Sequence, residues 1–88
     1  MTPRRIPGRL GEKLRAIQLH LGYTMEQMAE AVGETGKARR SRVYEWENGT
    51  RQPDLAGLLA YAHLASVTTD VLIDDTQDLN LGVRESKQ

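Results

Sequence analysis

Residues 28–53, MAEAVGETGKARRSRVYEWENGTRQP, decide how this chain folds. At about 100° per residue, Val43, Trp46 and Glu47 share one face of a helix predicted from about Arg39 to Glu47, stopped by Asn48 and Gly49. Ser41 and Glu45 then point almost opposite, with Arg42 and Tyr44 flanking them and Arg40 at the entry turn. One side of this helix is anchored by a large indole. The other is basic, polar and able to hydrogen-bond. Ahead of it, Gly33 to Ala38 reads as a loop, because glycine and polar residues crowd a stretch with no apolar period. Before that loop, Thr24-Met-Glu-Gln27 has the spacing of a capping box, with Tyr23 placed to staple onto Met28. That opens a helix continuing through Met28, Ala29 and Val32.

Working outward, Leu10, Leu14, Ile17 and Leu21 recur as the stripe of an amphipathic helix from about Arg9 to Leu21, with Gly22 as its C-cap. On the other side, Thr50 to Pro53 forms a turn and Asp54 caps a fourth helix whose apolar face is Leu55, Leu58, Leu59 and Ala62. Thr68 caps a short fifth helix holding Val71, Leu72 and Ile73. The expected domain is an all-α bundle of five short helices over residues 9–73, with a basic arm at 1–8 and an acidic tail at 74–88. In the tail, Leu79, Leu81 and Val83 alternate with polar residues, which predicts a segment either disordered or paired with another chain.

Composition sets the outer limits. At 88 residues without cysteine, the chain is one domain with no disulfide and no thiolate chemistry. No apolar run reaches the roughly 18–20 residues of a membrane span, and the first residues lack the apolar core of a signal peptide. The expectation is a small soluble intracellular domain. The charges balance at 12 basic and 12 acidic, yet they are unevenly placed. Residues 1–52 carry ten Lys/Arg against six Glu, and the remainder carries two against six acids. That asymmetry points one end of the molecule at an anionic partner.

The predicted third helix suits a DNA major groove, where Arg40 and Arg42 can pair with guanine and Ser41 with several bases. Lys37, Arg39, Arg40 and Arg42 crowd its mouth, so Lys37 and Arg39 are expected on phosphates, each contact steepening the salt dependence by about 0.9.

The runs Leu10-Gly-Glu-Lys-Leu-Arg15, Gly22-Tyr-Thr24, Gln27-Met-Ala29, Val32-Gly33 and Ser41-Arg-Val-Tyr-Glu-Trp-Glu-Asn-Gly49, closed by Pro53, resemble the phage repressor and Cro type of helix-turn-helix domain, the XRE family. The resemblance covers residues 9–73 and implies a lambda-repressor-like bundle whose third helix enters the major groove. It places base-facing roles on Arg40, Ser41, Tyr44 and Glu45. Phosphate contacts would fall at the amides of Thr24, Met25 and Glu26 and at Asn48, Gly49, Thr50 and Arg51. A transcriptional repressor is implied, acting as a homodimer on double-stranded DNA in the cytoplasm at the nucleoid. The chain departs from the pattern in three places. The link between the second and third helices is lengthened. Met25 stands where a phosphate-contacting glutamine is common. Gln18 replaces an arginine that pairs with the glutamate matching Glu47, so a Gln18–Glu47 hydrogen bond is expected to join the first and third helices instead.

Other chemistries find little support. Gly33-Glu-Thr-Gly-Lys37 is too short for a phosphate-binding loop, and Ala38 replaces the hydroxyl residue it requires. His20 and His63 stand apart, so neither a metal site nor a catalytic triad is expected, nor is a cofactor or small-molecule ligand. The competing reading is an antitoxin or other protein-interaction module on the same bundle, gripping a protein partner through residues 74–88.

Overall fold

Five helices follow one another in the computed structural model: α1 (Leu10–Leu21), α2 (Met25–Ala31), α3 (Arg39–Asn48), α4 (Leu55–Ala65) and α5 (Thr69–Ile73). The structure describes residues 6–81, and no strand occurs among them. Arg4 and Arg5 of the expected arm, and Val83 of the tail, lie outside the described residues.

Local chemistry accounts for most of the boundaries. Thr24 and Gln27 form the complete capping box, the Gln27 amide donating to Thr24 Oγ1 at 3.1 Å and the Thr24 amide to Gln27 Oε1 at 2.9 Å. Asp54 Oδ1 accepts from the Gly57 amide at 2.7 Å and so starts α4. Gly49, at φ +82°, turns the chain left-handed to end α3, a conformation that a Cβ would strain. The start of α1 has no local side-chain cap. The two amides just ahead of it are held from late in the chain, where Asp75 accepts from the Gly8 and Arg9 amides at 2.8 and 3.0 Å. A carboxylate there also complements the positive end of the helix dipole.

The core is built from Leu10, Leu14 and Ile17 of α1, Met28 and Ala29 of α2, Val43 and Trp46 of α3, Tyr61 and Ala62 of α4, and Leu72 of α5. The apolar face of α4 differs from the expected one. Gly57, Tyr61 and Ala62 are its buried residues and Leu58 is half-buried, whereas Leu55 is 84% and Leu59 48% exposed. Two backbones meet closely at Gly11, where a Cβ would lie 2.9 Å from the Glu47 carbonyl oxygen and 3.0 Å from the Gly49 nitrogen. This glycine lets α1 lie directly against the end of α3.

The tail also departs from the expected strand or disordered segment as far as Leu81. Lys13, with 2% of its surface exposed, donates to the carbonyls of Val71, Asp74 and Gln77 at 2.7, 3.0 and 2.7 Å. Asp74 accepts from the amide and hydroxyl of Thr76 and from Gln77 Nε2. Those hydrogen bonds, helped by the Lys13 charge, pull the Asp74 carboxyl down to about 2. Leu79 and Leu81 pack half-buried against the core. A stripe of alternating leucines can line one side of a coil as well as a strand, which is why periodicity alone misled here.

Candidate nucleic-acid interface

The two faces of α3 are as the residue pattern predicts. Val43, Trp46 and Glu47 are buried, while Arg40, Ser41 and Tyr44 are exposed and Glu45 is half-exposed. The inner face is fixed by shape. Trp46 stands edge-on to Tyr61, with ring centroids 6.4 Å apart, and its indole fills the space above Gly57, where a Cβ would meet the ring at 3.0 Å. With its back so anchored, α3 presents an open cleft lined by Met25, Arg40, Ser41, Tyr44, Glu45 and Thr50. The structure thus brings Met25 to the outward side chains of α3 from the first turn of α2.

The lengthened link from Val32 to Ala38 is held by charge. Arg42 Nε donates to Glu34 Oε1 at 2.5 Å and its Nη2 donates to the Thr35 carbonyl, so this guanidinium closes the loop instead of facing outward beside Arg40. Arg39 reaches across to α2, donating from Nε to Glu26 Oε2 at 2.9 Å and also pairing through Nη2, while its Nη1 donates to the Gly36 carbonyl at 2.8 Å. Arg40 Nε lies 3.5 Å from Glu26 Oε1. Lys37 is exposed and forms no ion pair among the described residues.

The two backbone regions expected to meet phosphate differ from each other. In the first turn of α2, the capping box occupies the amides of Thr24 and Gln27, leaving those of Met25 and Glu26 without an intrahelical acceptor. After α3, the Gly49 amide is turned back on Trp46, and the amides of Thr50 and Arg51 both donate to the Glu45 carbonyl, at 3.0 and 3.3 Å. Asn48, Thr50 and Arg51 are exposed, so contacts from this end fall to side chains. Arg51 itself donates from Nε to Glu45 Oε1 at 2.9 Å.

The expected Gln18–Glu47 hydrogen bond is not formed. Gln18 Nε2 donates to the Tyr23 carbonyl at 3.0 Å, so it braces the turn before α2. Glu47 Oε2 accepts from the Tyr61 hydroxyl at 2.9 Å and ties α3 to α4, while its Oε1 is buried without a partner. Burial pushes the Glu47 carboxyl above its ordinary 4.5, against the opposing pull of the Tyr61 hydroxyl and the Arg15 charge. The Tyr61 hydroxyl is raised in turn by burial and by the adjacent carboxylate. The Gln18 amide is thus taken up by a carbonyl only five residues on, and the Glu47 carboxylate by the phenol of α4.

Sequence reasoning missed Tyr61, Gly57, Gly11 and the glutamate partners of the arginines. The two glycines carried a signal, since glycine inside a helix costs about 0.5–1 kcal/mol against alanine and needs a reason to be there. Among the described residues no group of three or more His, Cys, Asp or Glu could hold a metal ion, and no helix is long and apolar enough to cross a membrane. No curated protein matches the chain. A family model described as helix-turn-helix matches residues 13–72, which takes in most of α1 and all of α2, α3 and α4. With two helices presenting one open cleft and the second pinned from behind by Trp46, the chain belongs to the Cro and repressor type of helix-turn-helix family, whose members are DNA-binding regulators of transcription.

Proposed function

We propose that the protein is a sequence-specific transcriptional repressor that inserts α3 into the major groove of an inverted-repeat operator. The observation that carries this reading is the exposed face of α3, where Arg40, Ser41 and Tyr44 stand clear of a helix whose opposite side is locked into the core. In this reading Arg40, Ser41, Tyr44 and Glu45 read base edges, and Arg40 pairs with guanine. Arg42 secures the loop that sets their register. Lys37, Arg39, Asn48, Thr50 and Arg51 serve the phosphates, joined by the amides of Met25 and Glu26 at the start of α2.

Dimers of this geometry address half-sites about 34 Å apart. Leu55 and Ile73, exposed around Pro7, Pro53 and Leu58, offer an apolar patch for the second copy to cover. The competing module reading needs a tail free to grip a partner. Its segment from Asp74 to Leu81 is engaged with its own bundle through Lys13, Arg9 and the core, which favours the regulator.

Selection from a random duplex library near physiological salt tests the proposal. Enrichment of an inverted repeat is the expected outcome. Binding without enrichment, vanishing as salt rises, would leave only non-specific attraction and overturn it.

A further inference from the structure

Five cations lie between Lys37 and Arg51, and four of them are already paired with carboxylates of their own chain. Glu26 holds Arg39 and Arg40, Glu34 holds Arg42, and Glu45 holds Arg51. These pairs are not equivalent. Glu34 is largely buried, with 15% of its side chain exposed, and belongs to the loop. Glu26 and Glu45 are 37% and 41% exposed and stand on the outward side, Glu45 in the wall of the cleft itself.

We propose that Glu26 and Glu45 are specificity-determining residues that act as internal stand-ins for phosphate, occupying Arg39, Arg40 and Arg51 in the free protein and so weakening attraction to DNA of the wrong sequence. The inference rests on the reading of α3 as the groove-entering helix. Sequence-independent binding draws its free energy from counterions released as cations neutralise phosphates. A guanidinium that enters the encounter already neutralised adds no net charge, and its carboxylate partner, carried toward the duplex, repels it. Glu26 is well placed for this task because a carboxylate in the first turn of α2 is favoured by the helix dipole. Exposed ion pairs are weak, so a cognate site that offers Arg40 a bidentate base edge can open the pairing, whereas scattered phosphates on a random duplex compete for it one at a time. Through these pairs the two carboxylates widen the gap between right and wrong DNA, in addition to the base contact that Glu45 makes at a cognate site; on a random duplex only the pairing acts.

The test compares the full-length wild type, Glu26→Gln and Glu45→Gln on one random-sequence duplex, with affinity measured across a salt series. Glutamine keeps the shape of glutamate and removes its charge. Each variant is expected to steepen the salt dependence by about 0.9 and to bind the random duplex about five- to tenfold more tightly at 0.1 M salt. The effects of the two variants should add. Unchanged melting temperatures would show that the fold is not the cause. If wild type and variants bind the random duplex equally, the stand-in role is overturned while DNA binding survives. If the variants bind less tightly at unchanged slope, the carboxylates position the arginines for contact instead, and the proposal also falls. If none of the proteins binds duplex even at low salt, the groove-entering reading fails together with the inference.

Discussion

The two junctions that α3 makes with the helices before it are built differently. Against α1 the contact is one of shape, with Gly11 packed onto the backbone of Glu47 and Gly49 and no room for a methyl group. Against α2, Met28 and Ala29 share the core with Val43, and at the mouth of the helix charge is added, with Glu26 and Glu34 drawing in Arg39, Arg40 and Arg42 across a loop. The first junction is fixed by close packing, which tolerates little displacement. The charged part of the second can be loosened by salt or by a competing anion. The helix proposed to enter the groove is thus rigidly held at its back and adjustably held at its mouth.

Gly11→Ala is the strongest way to break this contrast. Its Cβ meets backbone on both sides, so the helices must part rather than repack, and a loss of about 1–3 kcal/mol is expected in urea unfolding. A loss near zero would show that the junction yields. Next comes Glu47, buried at the same junction. Because its carboxyl is raised in the folded state, its contribution to stability is fully present below 4.5 and is lost as pH rises through the raised value. Glu47→Gln should flatten the fall in stability between acid and neutral pH, read as urea midpoints at the two ends. Parallel pH profiles for the two proteins would remove Glu47 from the account. The smallest effect belongs to the charged junction. Glu34→Gln should cost about 1 kcal/mol, because glutamine can still accept the Arg42 hydrogen bond, and concentrated salt should narrow the gap between wild type and variant only in part, since Glu34 is shielded. A larger loss, unaffected by salt, would mean that the loop too is held by packing.

How much of this was legible beforehand follows from the same contrast. The periodic stripe of α1, the capping box at Thr24 and the stop at Gly49 are local signals, and the structure contains each of them. The two faces of α3 were also readable, because Trp46 on one side and Arg40, Ser41 and Tyr44 on the other follow from the helical period alone. Partners distant in sequence were not. Glu26 meets Arg39 across a loop whose path no local rule sets, and Tyr61 meets Glu47 from a helix whose orientation decides which apolar residues turn inward. The same rotation of α4 left Leu55 outside, since its four leucine and alanine positions could not say which of two neighbouring faces was the inner one. The hydrogen-bonding capacity of the expected site residues was visible in the residues. Which of their donors were already occupied was visible only in the fold.

The ammonium of Lys13 changes what a deletion experiment can ask. Ending the chain at Thr76 would remove the Gln77 carbonyl that this ammonium bonds, along with the cover given by Leu79 and Leu81. A truncated protein that loses its activity would then report on folding rather than on a missing partner. The intact chain offers a gentler probe. Amine-reactive reagents should mark the exposed Lys37 at once and Lys13 only as fast as the tail lifts away, so the ratio of the two labels becomes a clock for the opening of the bundle.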